Sequence, residues 1–171
     1  MVLRTDKALS CLEAAAHRVA TAIVGAGTVL TANQAKSVVA AGAAFIVSPG
    51  LDEGVIKVAQ QAGIPVFPGI ATASELQQAW TLGLDVVKFF PAGLSGGTAM
   101  LKALSAVFRN MRFMPTGGVS AGNLAEYLAV PSVIACGGSW LTPAAEIQAK
   151  NYQAVTGLAK EALVIAAQVR G

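Results

Sequence analysis

The stretch Val86-Val87-Lys88-Phe89-Phe90-Pro91-Ala92-Gly93 decides the fold. Its β-branched and aromatic residues read as a short strand buried on both faces, and Pro-Ala-Gly ends it. Alternation puts Val86, Lys88 and Phe90 on one face of that strand. The same pattern recurs in both directions. Apolar runs occur at Thr21–Val24, Ala44–Val47, Ile64–Phe67, Met111–Met114 and Val133–Ala135. A turn follows each: Gly25-Ala26-Gly27-Thr28, Ser48-Pro49-Gly50, Pro68-Gly69, Pro115-Thr116-Gly117-Gly118 and Gly137-Gly138-Ser139. The runs start about 20 to 26 residues apart, the length of one strand–helix unit with short loops.

The stretches between the turns read as helices. Thr31–Ala41 opens on Thr31 as an N-cap and stops at Gly42, and Asp52–Gln61 stops at Gly63. In Thr72–Thr81, Thr72 is followed three residues later by Glu75, the pattern of a capping box, and Gly83 closes the helix. Thr98–Phe108, Ala121–Leu128 and Tyr152–Val169 complete the set. Strands alternating with helices imply right-handed βαβ units and a parallel sheet. Six runs and a first fragment, Val2–Arg4, predict an α/β fold: a (β/α)8 barrel that lacks its start. A doubly wound open sheet is the alternative. No linker or low-complexity tract interrupts 1–171, which reads as one domain.

Composition agrees. The 171 residues are 54% hydrophobic and 12% charged, against about 25% charged in an average soluble domain. Ala and Val dominate, as expected where small side chains pack helices onto a sheet. So little charge also predicts that a partner chain covers some helix surface. A complete single-domain barrel usually needs about 250 residues, so this one is short. The net charge is +3, but the lysines and arginines are scattered, which argues against nucleic acid as a partner. Cys11 and Cys136 lack metal or redox spacing and read as reduced thiols. No apolar run is long enough for a membrane span, and no signal peptide opens the chain. A cytoplasmic protein is expected.

Lys88 is the most informative residue. The other six lysines lie on helical or loop stretches. A lysine among Val and Phe is desolvated, which favours the neutral amine, a nucleophile toward ketones. A strand-end lysine reaching solvent is the bland alternative. The two glycine-rich turns at Thr116–Gly118 and Gly137–Ser139 are the second signal. Backbone N–H groups unobstructed by side chains suit an anion, although a single Gly-Gly is usually only a tight turn. His17 is alone on a helix, so no metal site is expected. Trp80 reads as helix packing and Trp140 as packing at the rim of the sheet.

Ordered blocks along the chain carry a resemblance. Arg4-Thr5, Val24-Gly25-Ala26-Gly27-Thr28-Val29-Leu30, Ser48-Pro49-Gly50-Leu51, Pro68-Gly69-Ile70, Val87-Lys88-Phe89-Phe90-Pro91-Ala92, Pro115-Thr116-Gly117-Gly118 and Gly137-Gly138-Ser139-Trp140-Leu141 resemble the signature blocks of the 2-keto-3-deoxy-6-phosphogluconate (KDPG) and 4-hydroxy-2-oxoglutarate aldolases. The resemblance implies Lys88 as the Schiff-base lysine. It implies Arg4 and Thr28 on the pyruvyl carboxylate, with Pro49 and Phe90 packed around it. Thr116, Gly117, Gly118, Gly138 and Ser139 would lie toward the phosphate. No metal or cofactor is implied, and the family points to a homotrimer. The expected substrate is a 2-keto acid or phosphorylated keto sugar acid.

Two departures follow from the same comparison. The family's general acid/base glutamate lies a few residues before the arginine that Arg4 matches, a position before Met1. The first strand, its helix and most of the second strand are likewise expected to lack counterparts. None of the nine acids falls within an apolar strand run, and Gly93 stands where the family often carries an acid. The functional expectation is a class I aldolase with weakened turnover. The alternative is a non-catalytic, truncated remnant that binds anions or oligomerises.

Overall fold

The computed structural model describes Met1–Gly171. The chain divides into two compact units, Met1–Leu82 and Gly83–Gly171.

In the first unit the elements run α1 (Ala8–Arg18), β1 (Ala26–Gly27), α2 (Ala32–Ala40), β2 (Ile46–Val47), α3 (Glu53–Gln61), β3 (Val66–Phe67), β4 (Gly69–Ile70) and α4 (Ala73–Thr81). β1, β2 and β3 form a parallel ladder in which Ala26 faces Ile46 and Ile46 faces Val66. Val2 extends it by a parallel bridge to Gly27. The helices pack through Leu12, Val55, Ile56 and Leu76, all 1% exposed or less. Burying one such side chain contributes about 1.5–3 kcal/mol.

The second unit holds β5 (Val86–Phe89), α5 (Gly97–Val107), β6 (Arg112–Pro115), α6 (Leu124–Leu128), a 3-10 turn (Ser139–Leu141), α7 (Ala144–Gln148) and α8 (Tyr152–Arg170). β5 and β6 are parallel, with Lys88 opposite Met114. Val133 bridges to Phe113 and Gly137 to Thr116, continuing the ladder one place further. Val87, Phe89, Leu101 and Phe113 are fully buried, and Met111 is 1% exposed.

The sequence expectations for caps hold closely. Thr31 Oγ1 accepts from the Gln34 N–H and Asp52 Oδ1 from the Val55 N–H. Four expectations need correction. The run Thr21–Val24 is not a strand, and Ile23 is exposed; pairing starts at its end, where the Ala44 N–H donates to Val24 O, and the strand is Ala26–Gly27. The Pro68-Gly69 turn is an interruption between two short strands. Pro68 has no N–H to add to a ladder, so β3 stops before it and β4 begins after it. Val133–Ala135 pairs only through Val133, while the Arg170 guanidinium donates to Val133 O and Ile134 O. Trp80 is 58% exposed, at the border of the face that buries Leu76 and Ala79.

One glycine is dictated by close approach. A Cβ on Gly69 would lie 2.0 Å from the Pro49 carbonyl oxygen, so only glycine lets the Ser48–Gly50 turn lie against β4. Ser48 Oγ donates to Gly50 O at 2.8 Å and ties that turn from inside.

The capping box of α4 yields a prediction. The Glu75 carboxylate accepts from the N–H groups of Ala71 and Thr72 and from Thr72 Oγ1 at 2.8 to 2.9 Å. The bond from Ala71 foremost, opposed by desolvation and aided by Thr72, holds its pKa below the ordinary 4.5. A depressed folded pKa stabilises fully above the ordinary value, and that contribution is lost as pH falls through the folded one. Glu75→Gln should therefore lower Tm at neutral pH, with the gap to wild type closing in acid. Thr72→Ala should cost about 0.5–2 kcal/mol by losing the cap. Thermal melts across pH check both; a Glu75→Gln gap independent of pH would refute the linkage.

Candidate active site

Strand alternation decides what surrounds Lys88. Val87 and Phe89 point into the core and are fully buried, whereas Val86 and Lys88 lie half-buried on the opposite face. This is the alternation read from the sequence, with Val86, Lys88 and Phe90 on one face; Val87 and Phe89 do not face the amine. The aromatic neighbour is Phe90, whose ring centroid is 4.2 Å from Lys88 Nζ, within cation–π range. The second apolar side chain on this face is Met114, opposite Lys88 in the ladder and half-buried. The peptide bond between Phe90 and Pro91 is cis.

The loops after β5 and β6 are stitched together by main chain. Thr116 N–H donates to Phe89 O at 3.0 Å, Ala92 N–H to Thr116 O at 2.8 Å and Gly93 N–H to Gly117 O at 2.9 Å. Gly117 and Gly118 have φ of +83° and +86°, the left-handed region that glycine adopts without strain. A Cβ on Gly117 would lie 3.1 Å from the Phe90 ring, and one on Gly118 3.3 Å from the Gly93 Cα. Phe90 thus lies between the lysine head and the backbone of the glycine loop. Asn123 holds the loop's far end: its Nδ2 donates to Gly118 O and its Oδ1 accepts from the Ser120 N–H. Sequence reasoning missed Asn123; the signal was an Asx residue at a helix entry just after a Gly-Gly turn.

These bonds engage the carbonyls of Thr116, Gly117 and Gly118, while the N–H groups of Gly117 and Gly118 have no protein acceptor. Thr116 Oγ1 is buried and also lacks a partner. A buried hydroxyl of this kind calls for an explanation. Here it stands beside two free amide donors, a combination suited to an anionic ligand oxygen. The turn after Val133 is close: a Cβ on Gly137 would lie 2.9 Å from Thr116 Cγ2. Gly138 has a packing reason of its own, because the Trp140 ring lies on it and a Cβ would meet that ring at 1.6 Å. Ser139 is exposed at the start of the 3-10 turn. Cys136 is no nucleophile. Burial pushes its thiol up to about 11, against a smaller downward pull from Arg170.

Lys88, Phe90, Thr116, Gly117, Gly118, Gly138 and Ser139 all belong to the second unit, while Arg4, Thr28 and Pro49 belong to the first. The structure brings Lys88, Phe90 and Gly117 into one contact chain. The three residues of the first unit sit on separate loops. Arg4 is exposed and lines a cavity of about 440 Å³ with Leu3, Thr5, Asn33, Gln34 and Ser37. Thr28 has φ of +61° just after β1, a left-handed conformation unusual for a β-branched residue. Such strain concentrates at functional positions. Among the acids, Asp52 is engaged as a helix cap and Glu53 lies 3.9 Å from Lys57.

Known proteins match this chain over most of its length. A family model for KDPG and KHG aldolase matches residues 1–158. The 2-dehydro-3-deoxy-phosphogluconate aldolase of Treponema pallidum is 47% identical over 165 residues, covering 96% of this chain and 79% of the relative. The KDPG aldolase of Legionella pneumophila, solved with pyruvate captured as a covalent carbinolamine, superposes with a TM-score of 0.89. It is 43% identical and the match covers 92% of this chain and 76% of that one. The Zymomonas mobilis enzyme, solved with 3-phosphoglycerate, gives 0.85 at 41% identity over 94% of this chain and 75% of that one. The fold is therefore the α/β, TIM-barrel-like class of these structures, and the chain belongs to the KDPG and KHG aldolase family.

Proposed function

We propose that this protein is a class I aldolase that cleaves 2-keto-3-deoxy-6-phosphogluconate to pyruvate and glyceraldehyde 3-phosphate, with 4-hydroxy-2-oxoglutarate, which would yield pyruvate and glyoxylate, as a further substrate. The observation that carries this reading is a strand-borne lysine, half-buried against Phe90 and next to a glycine loop with free amide donors. It stands in a chain 47% identical to an aldolase of this specificity.

The chemistry follows from the amine. Neutral Lys88 Nζ attacks the C2 ketone and forms a carbinolamine, which loses water to a protonated imine. The C3–C4 bond then breaks with its electrons flowing into the imine, as the C4 hydroxyl gives up its proton and becomes the aldehyde. The resulting enamine takes a proton at C3, and water releases pyruvate and the free lysine. Metal polarisation has no step in this sequence, because the protonated imine is the electron sink. Arg4 and Thr28 hold the carboxylate, with Pro49 and Phe90 beside the pyruvyl group. The amides of Gly117 and Gly118, the Thr116 hydroxyl, Gly138 and Ser139 receive the phosphate. The free donors at Thr116–Gly118 support that assignment.

For architecture we infer one functional domain over 1–171 and an incomplete (β/α)8 barrel; the block order and the parallel ladder within each unit support this. A cytoplasmic site fits the two free thiols, and no helix is long and apolar enough to cross a membrane. A homo-oligomer, with a trimer favoured, fits the exposed apolar residues Ile23, Leu94 and Val107 and the 12% charged content.

Three outcomes are expected. Borohydride with pyruvate should add a stable mass to Lys88, absent in Lys88→Ala; peptide mapping to another lysine would overturn the assignment. Trapping without turnover would favour the non-catalytic reading. Gly118→Val should raise KM for the phosphorylated substrate by roughly 10- to 100-fold, the loss of a charge-assisted hydrogen bond of about 1.5–3 kcal/mol, with pyruvate trapping little changed. Equal losses for both would count against a phosphate role. Sedimentation should give three times the 17.3 kDa chain mass, and a stable monomer at micromolar concentration would refute the assembly.

A further inference from the structure

The ladder between β5 and β6 sets Met114 directly alongside Lys88. Parallel neighbours stand about 4.8 Å apart in the hydrogen-bonding direction, and paired residues share a face. Burial confirms that face. Phe113 is fully buried and Pro115 is buried on the opposite side, while Met114 and Lys88 are both half-buried. Within this unit the amine thus has an aromatic wall, Phe90, at its head and a thioether wall along its stem. Phe90 is fixed by Gly117 behind it. Met114 is long, unbranched and apolar, a side chain that fills whatever width its neighbours leave.

We propose that Met114 is a specificity-determining residue: it fills the space on the β6 side of Lys88 and so restricts the site to 2-keto acids with a single carbon substituent at C3. The inference rests on Lys88 being the imine-forming residue. A substrate whose C3 is a methylene carries one continuing chain. A second substituent at C3 would need the room that the Met114 side chain takes, and a hydroxyl there would meet an apolar wall. Selection for 3-deoxy keto acids then follows from packing, with no polar contact reading C3.

The test compares imine trapping with 2-oxobutanoate, which has one C3 substituent, and 3-methyl-2-oxobutanoate, which has two. Borohydride adducts at Lys88 are timed in wild type, Met114→Ala, Met114→Val and Met114→Leu. Wild type should favour the unbranched acid. One methylene in an apolar pocket discriminates by about 10- to 200-fold, so Met114→Ala should shift the ratio toward the branched acid at least about tenfold. Met114→Leu, close in volume, should restore it to within about threefold. Met114→Val keeps strand propensity and should give an intermediate ratio; it carries the test if Met114→Ala does not fold. An unchanged ratio in the smaller variants, with adducts still on Lys88, overturns the role of Met114 and leaves the Schiff-base reading intact. Absence of any Lys88 adduct in folded wild type overturns both.

Discussion

The parallel pairing of β5 with β6 is the constraint on which the rest of the second unit depends. Each strand has only four residues, so its register determines two faces at once. One face sends Val87, Phe89 and Phe113 into a fully dry core. The other presents Lys88 and Met114 side by side. A slip of one residue would exchange the faces, burying an ammonium and exposing two phenyl rings. The buried aromatic side chains therefore hold the lysine in place without touching its amine.

The loops beyond this ladder depend on the same register. Because Phe89 O accepts from Thr116 N–H, the next residues of both loops meet as a pair of short backbone clamps ending at Gly93 and Gly117. These clamps engage the carbonyls and leave the amide donors of Gly117 and Gly118 free. Two consecutive positive φ values make this possible, and a Cβ at Gly117 would crowd the Phe90 ring at 3.1 Å. Lysine chemistry and anion affinity are thus neighbours through one ring. Phe90 supports the amine on one side and the loop on the other.

In the first unit the structure works by close approach. Gly69 lets the Pro49 carbonyl come within a distance no side chain would allow, and Ser48 ties the turn internally. Thr28 keeps a left-handed backbone just after β1. The Ser48–Gly50 turn and Thr28 follow β2 and β1 directly, at the strand ends where βα loops carry function in barrel-like folds. The helices answer to local rules. Thr31, Asp52 and Thr72 cap as their sequence positions require.

The sequence alone determined the βα alternation, the helix starts, the uniqueness of Lys88 and the family, because each rests on local periodicity, capping chemistry or an ordered set of blocks. Strand limits were less legible. Thr21–Val24 looked like a strand, but pairing begins only where Ala44 and Phe45 can reach the backbone. Pro68 divided what the pattern showed as one run and a turn. Alternation in the sequence already put Phe90 on the lysine's face. Only the tertiary structure decided that Met114 stands beside the lysine, because that depends on the register of β5 with β6. The unpartnered Thr116 hydroxyl and the exposure of Trp80 were equally invisible, and Asn123 left only a local Asx signal. Such contacts join residues distant in the chain, and their geometry is set by register and packing rather than by any local propensity.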